Sequence, residues 1–288
     1  MSAPHPVLRC LIYLVCWPVA SLLLLDIASS VDGLVFPHNA GPDQSVNLLI
    51  SVSCDCVAAL GVALLLRRYV DHRPLATLGF TFGVRWLRLL GIGVLLGFGM
   101  QALVFALETT LGFAHSSPPR WQHAEFATLG YVIPVLILGA ISEEMPFRGY
   151  LFQNLREAWG SWAALMVTSA AFAALHLFNP GAHADLPLTM AGIAASGALF
   201  SLSVMLTGSL WFAVGCHFAW NLFEGPVFGF PVSGLSFGDA HIFTQTVTGP
   251  EWFTGGSFGP EAGLSALIAL AAGTAVLYAL HRLGAFAR

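Results

Sequence analysis

Polar residues are sparse along this chain and gather between eight long apolar runs, at about residues 8–28, 46–66, 87–111, 129–155, 161–178, 186–206, 209–230 and 263–283. Each run is close to the ~20 apolar residues that carry a helix across the hydrocarbon of a bilayer. The pattern predicts an all-α, polytopic integral membrane protein of about eight transmembrane helices. No second domain, heptad array or low-complexity tail interrupts it, so residues 1–288 read as a single membrane domain.

Charge placement orients this drawing. With both termini cytoplasmic, Arg9, Arg67, Arg68, Arg73, Arg85, Arg88, Arg156, Arg282 and Arg288 all fall inside, and Arg120 alone falls in an outer loop. The outer loops instead hold Asp32, Asp43, Glu125, Asp185, Asp239, Glu251 and Glu261. The expected location is therefore the cytoplasmic membrane, crossed many times, with both ends inside. Composition agrees: only 9% of residues are charged, against about 25% in soluble domains. Every basic residue is arginine, which excludes a lysine nucleophile or Schiff base. The expected partners are the bilayer and a protein or peptide substrate, with no nucleic acid.

Cys10, Cys16, Cys54, Cys56 and Cys216 all lie in apolar runs and read as buried thiols. Cys54 and Cys56, two apart on a helix, point different ways and make no metal pair. The first run is too long for a leader's apolar core and lacks a small-x-small site, so it reads as a retained span. The basic loop 67–86 is expected to rest on headgroups. The connection 231–262, with Phe237, Phe243, Trp252, Phe253 and Phe258, reads as an outer segment that dips back or anchors at the interface. Gly91, Gly93, Gly97 and Gly99 predict close helix packing.

Against this background Glu143 and Glu144 stand out inside an apolar run. A charged side chain near the bilayer centre costs roughly 3 kcal/mol, so two adjacent carboxylates are unexpected as filler. Glu144 and Arg148 are four apart, the acid first, which favours an ion pair on one helix face. Glu143 is rotated about 100° away. Poorly solvated beside that ionised neighbour, it has the character of a general base. His217 and Asn221 share a face by the same spacing, and both can donate hydrogen bonds to an oxyanion. Phe172 precedes His176 by four and can brace the imidazole. Counted from the cytoplasmic span ends, Glu143, His176, His217 and Asn221 lie about 18, 22, 12 and 18 Å deep, which permits convergence near mid-membrane.

Three motifs then appear in order: EEMPFR as ExxxR preceded by Glu143, FAALH as FxxxH, and HFAWN as HxxxN. Together they resemble the CPBP family, which groups type II CAAX prenyl proteases with bacteriocin-processing relatives. The resemblance centres on residues 129–225, read as the catalytic core. It implies an intramembrane glutamate-dependent endopeptidase without a cofactor. Glu143 and His176 would activate a water, His217 and Asn221 would stabilise the oxyanion, and Glu144 with Arg148 would shape the site. Met145-Pro146 departs from relatives that carry two apolar helix formers there, and Pro146 is expected to kink the span. The CAAX label is not carried to the substrate, since nothing in the chain reports a prenyl pocket.

Other readings compete. Glu143, His176 and His217 would make an alternative zinc set, three ligands leaving room for a water, although no HExxH is present. Intramembrane Glu and His also serve proton-coupled transporters, but no internal repeat accompanies them here. A non-catalytic scaffold of the same fold is the third reading. Glu224, seven residues after His217, and Asp26, Asp55 and Glu108 are further acids in or near spans, weaker candidates for the site.

Overall fold

The computed structural model describes residues 3–35, 44–121, 123–236 and 241–286. Asp43, Phe237, Asp239 and Arg288 lie outside the described residues.

The apolar runs become helices α1 (Pro6–Val35), α2 (Gln44–Tyr69), α3 (Trp86–Thr110), α4 (His123–Glu144), α5 (Phe152–Trp159), α6 (Ser161–Leu175), α7 (Leu186–Thr207), α8 (Trp211–Leu222), the short α9 (Glu251–Thr254) and α10 (Leu264–Arg282). One small antiparallel pair joins β1 (Ala114–Ser116) to β2 (Gln245–Val247). Among the described residues, seven segments are long and apolar enough to cross a bilayer: Pro6–Ser30, Val46–Tyr69, Trp86–Thr110, Leu129–Trp159, Ser161–Phe178, Leu186–Thr207 and Leu264–Arg282. The protein is an all-α, multi-pass membrane protein.

The expected run 209–230 is absent from that set. In its place stand α8 and a π-helical turn, Phe223–Val227. Leu210 N–H donates to Gly79 O at 3.0 Å and Trp211 Nε1 to Thr81 O at 3.0 Å, fixing its start beside the basic loop. Beyond it, Phe228 packs with Ala114 of β1 at the opposite end. The chain thus passes from end to end a further time over residues 211–227, roughly 25 Å of rise. This pass packs against α3, α4 and α7. Enclosed by protein on those sides, it has no need to match the bilayer thickness.

Glycine makes the closest of these contacts. A Cβ on Gly93 or Gly97 would collide with the backbone of Phe212 or Cys216 on α8, whereas Gly91 and Gly99 face open space. Only two of the four glycines are therefore required for packing.

Both long connections carry buried contacts. In 67–86, Arg67, Asp71 and Leu78 are buried. Asp71 accepts from Arg67 Nη1 at 3.0 Å, Tyr150 Oη at 2.8 Å and Asn154 Nδ2 at 3.3 Å, and Arg9 lies 4.0 Å away. The rest of the loop is largely exposed, Tyr69, Leu75, Phe82 and Val84 among it. The described parts of the 231–262 connection, 231–236 and 241–262, pack against the bundle. Phe253 and Phe258 are buried while Trp252 is exposed, and Gly234 and Gly259 lie against the carbonyls of Pro180 and Pro231. The thiols are all free, but Cys16 is exposed on the apolar surface and Cys54 is half-buried.

Candidate active site

α4 ends at Glu144, and Met145–Leu151 continues as a π-helix into α5. Pro146 has no N–H to return to Ser142, and a widened turn absorbs the missing bond. The expected kink thus takes the form of a π segment directly after the acids.

The two glutamates meet different surroundings. Glu144 and Arg148 are wholly buried and joined Oε1 to Nη1 at 3.0 Å. His217 of α8 also places Nδ1 2.9 Å from that same Oε1. A carboxylate oxygen only accepts, so the ring donates Nδ1–H. Its Nε2 then lies 3.8 Å from Glu143 Oε2. The Glu143 side chain is 39% accessible, against 0% for Glu144.

Aromatic rings hold this centre. Phe200 stacks on His217 at 5.1 Å and 14°. The Arg148 guanidinium lies 4.4 Å from the Phe172 ring centre and 5.3 Å from that of Phe200, a cation–π arrangement suited to a desolvated charge. A Cβ at Gly197 would stand only 3.1 Å from Arg148 Nη2, so α7 passes the guanidinium closely because it carries no side chain there. His176, just beyond α6, places Nδ1 2.9 Å from Phe172 O. That carbonyl can only accept, so in the neutral ring Nε2 is the unprotonated nitrogen. The Phe172 and His176 rings are 4.7 Å apart.

A pocket of about 180 Å³ gathers Glu143, His176, His217 and Asn221 from α4, the end of α6 and α8. Glu144 and Arg148 do not line it; they stand behind His217. Among the described residues no group of three or more His, Cys, Asp or Glu is placed to hold a metal ion.

The pocket also has a polar wall that motif reading missed. Glu261, expected in an outer loop, is buried and accepts from Trp220 Nε1 at 3.0 Å and from Ser233 Oγ. Asn179 Nδ2 donates to Ser233 O at 3.0 Å. Glu261 follows a Gly/Pro-rich connection and sits in no motif, so local sequence carries no sign of its inward position. Glu224 is fully buried but does not line the pocket. Glu108 accepts from Ser265 Oγ at 2.7 Å, and Asp55 from Trp17 Nε1 at 3.0 Å.

Fold and site together define a polytopic membrane protein with a carboxylate–imidazole centre enclosed by its helices. Residues 125–223 match the model of the family described as type II CAAX prenyl endopeptidase Rce1-like, and this match supports the CPBP/CAAX protease family for the chain. The matched stretch carries all three motifs. No curated protein and no solved structure matches the chain. The Rce1-like family is generally one of proteases, which points to protease activity at the membrane.

Proposed function

We propose that this protein is an intramembrane endopeptidase that hydrolyses a peptide bond in membrane-associated proteins or peptides. The observation that carries the reading is the pocket shared by Glu143, His176, His217 and Asn221, with the Glu144–Arg148 pair buried behind it. Glu143, the accessible acid, takes a proton from a water as its oxygen attacks the scissile carbonyl, and His176 orients that water through Nε2. The tetrahedral oxyanion is stabilised by Asn221 Nδ2–H and by a protonated His217 Nε2, whose ring is held through Nδ1 by Glu144. As the C–N bond breaks, the proton held by Glu143 passes to the leaving amine. No metal enters this scheme. The chain lies in the cytoplasmic membrane with both termini inside, a reading that rests on the nine arginines of the inner loops and ends.

Comparative peptidomics of membranes carrying wild-type protein or Glu143→Gln tests this directly. The expected result is a set of peptide products lost in the variant at equal protein abundance. An unchanged set, with the protein expressed and its physiological role intact, would leave a non-catalytic scaffold as the better account. Products that vanish on exhaustive chelation and return with zinc would replace the water-activation scheme with a metal one.

A further inference from the structure

Two of the four pocket residues stand where helices end. His176 follows the last residue of α6 and begins a 3-10 turn, His176–Phe178. Asn221 lies in the last turn of α8, just before the π-helical Phe223–Val227. Helix ends lack part of the regular backbone ladder and fray unless other groups hold them. His217, by contrast, is pinned through Nδ1 by Glu144.

A chain of hydrogen bonds joins these two ends along the wall formed by the 231–262 connection. Asn179 donates its backbone N–H to His176 O at 3.1 Å and its Nδ2–H to Ser233 O at 3.0 Å. Ser233 Oγ donates to Glu261 Oε2, and Trp220 Nε1 donates to Glu261 Oε1 at 3.0 Å. Glu261 therefore takes one bond on each carboxylate oxygen and links the two halves of the chain. Trp220 precedes Asn221, so fixing the indole also fixes the rotation of α8 at Asn221. The backbone of Glu261 is itself closely held: a Cβ on Gly192 of α7 would collide with its carbonyl oxygen. Ser233 has a φ of 48°, a conformation that a non-glycine residue keeps only where its surroundings impose it. Bonds to both its carbonyl and its hydroxyl impose it here.

We propose that Glu261 is a positioning residue: through Trp220 and Ser233 it holds the ends of α8 and α6 so that Asn221 and His176 face one substrate carbonyl. This role rests on the endopeptidase reading and deepens it. Glu261 borders the pocket, yet it acts by accepting two hydrogen bonds, not by its charge or by touching substrate. Glutamine can keep both links, accepting from Trp220 through its amide oxygen and donating to Ser233 Oγ through its nitrogen, whereas alanine keeps neither.

The test uses the full chain in detergent and a synthetic peptide spanning a cleavage site found by the Glu143→Gln comparison. Glu261→Ala should lower kcat about ten- to a hundred-fold, the scale of misplaced reacting groups, with KM within about two-fold of wild type. Glu261→Gln should restore most of the rate. Trp220→Phe, which loses the N–H, should reproduce the loss, and adding it to Glu261→Ala should cost little more. Should Glu261→Ala fail to accumulate, Trp220→Phe carries the same comparisons. A raised KM at unchanged kcat overturns the proposal, because Glu261 would then contact substrate. A glutamine variant as impaired as alanine also overturns it, since charge would then be the active element. Wild-type turnover per folded molecule in both Glu261→Ala and Trp220→Phe would leave only a structural wall. Hydrogen–deuterium exchange decides without activity: Glu261→Ala should speed exchange at both 176–184 and 217–222, and Glu261→Gln at neither. Faster exchange confined to the 231–262 connection overturns the proposal. If Glu143→Gln leaves every peptide product unchanged, the endopeptidase reading fails, and exchange at the two helix ends still judges the link through Glu261.

Discussion

The buried polar clusters around Asp71 and around Glu144 differ in how completely their atoms are satisfied. At the basic end, Asp71 accepts from Arg67, Tyr150 and Asn154, and Arg9 also donates Nη1 to Asn154 at 3.3 Å and to Glu157 at 3.4 Å. At the candidate active site, Arg148 and His217 converge on one oxygen of Glu144. Glu144 Oε2, Glu143 Oε2, and Arg148 Nε and Nη2 have no hydrogen-bond partner. Buried polar groups are ordinarily paired, and in the proposed reaction these open atoms are where water and substrate would bind. The basic-end cluster ties α1, α2 and α5 together and leaves nothing over. On the proposed reading the satisfied cluster is a clamp and the open one the reaction centre.

The comparison breaks most sharply at Glu143. Glu143→Gln should lower turnover by about 10²–10⁴-fold, the range of a lost general base, at normal protein abundance, measured on any peptide product found by peptidomics. Next comes Arg148→Met, which leaves Glu144 as a buried charge without its cation. A loss of about 3–5 kcal/mol is expected, seen as reduced accumulation and a lower midpoint of thermal unfolding in detergent. Asp71→Asn strips the basic-end clamp of its acceptor charge at a smaller cost, about 1–3 kcal/mol. Its turnover per folded molecule should match wild type; a specific loss there would show the clamp to be part of the reaction centre. The smallest effect belongs to the rim of that cluster, where Arg73 and Glu157 pair at 2.8 Å in partial exposure. Arg73→Ala should change stability by no more than about 1 kcal/mol, less at high salt.

The spans were legible because hydropathy is a local property. Seven of the eight drawn runs meet helices of nearly the drawn limits, such as 186–206 against Leu186–Thr207. The eighth run, 209–230, crosses as a shorter helix followed by a π turn, and the reason is tertiary: surrounded by helices, it escapes the length rule that lipid imposes. The glycines show the same divide. Four of them predicted close packing, and only Gly93 and Gly97 meet the α8 backbone. Which helix faces which cannot be read from a list of small residues.

The candidate site divides in the same way. The membrane class, the order of the three motifs and the i,i+4 pairs are legible along the chain, because helical period and hydrophobicity act over a few residues. So is the separation of Glu144, paired with Arg148, from Glu143. That His217 is held on the oxygen Arg148 also takes, that Asp71 is a buried clamp, and that Glu261 turns inward against Trp220 all follow from helix packing. Those contacts join residues 41 to 83 positions apart. Their partners are chosen by which helices pack together, and no local pattern records that choice.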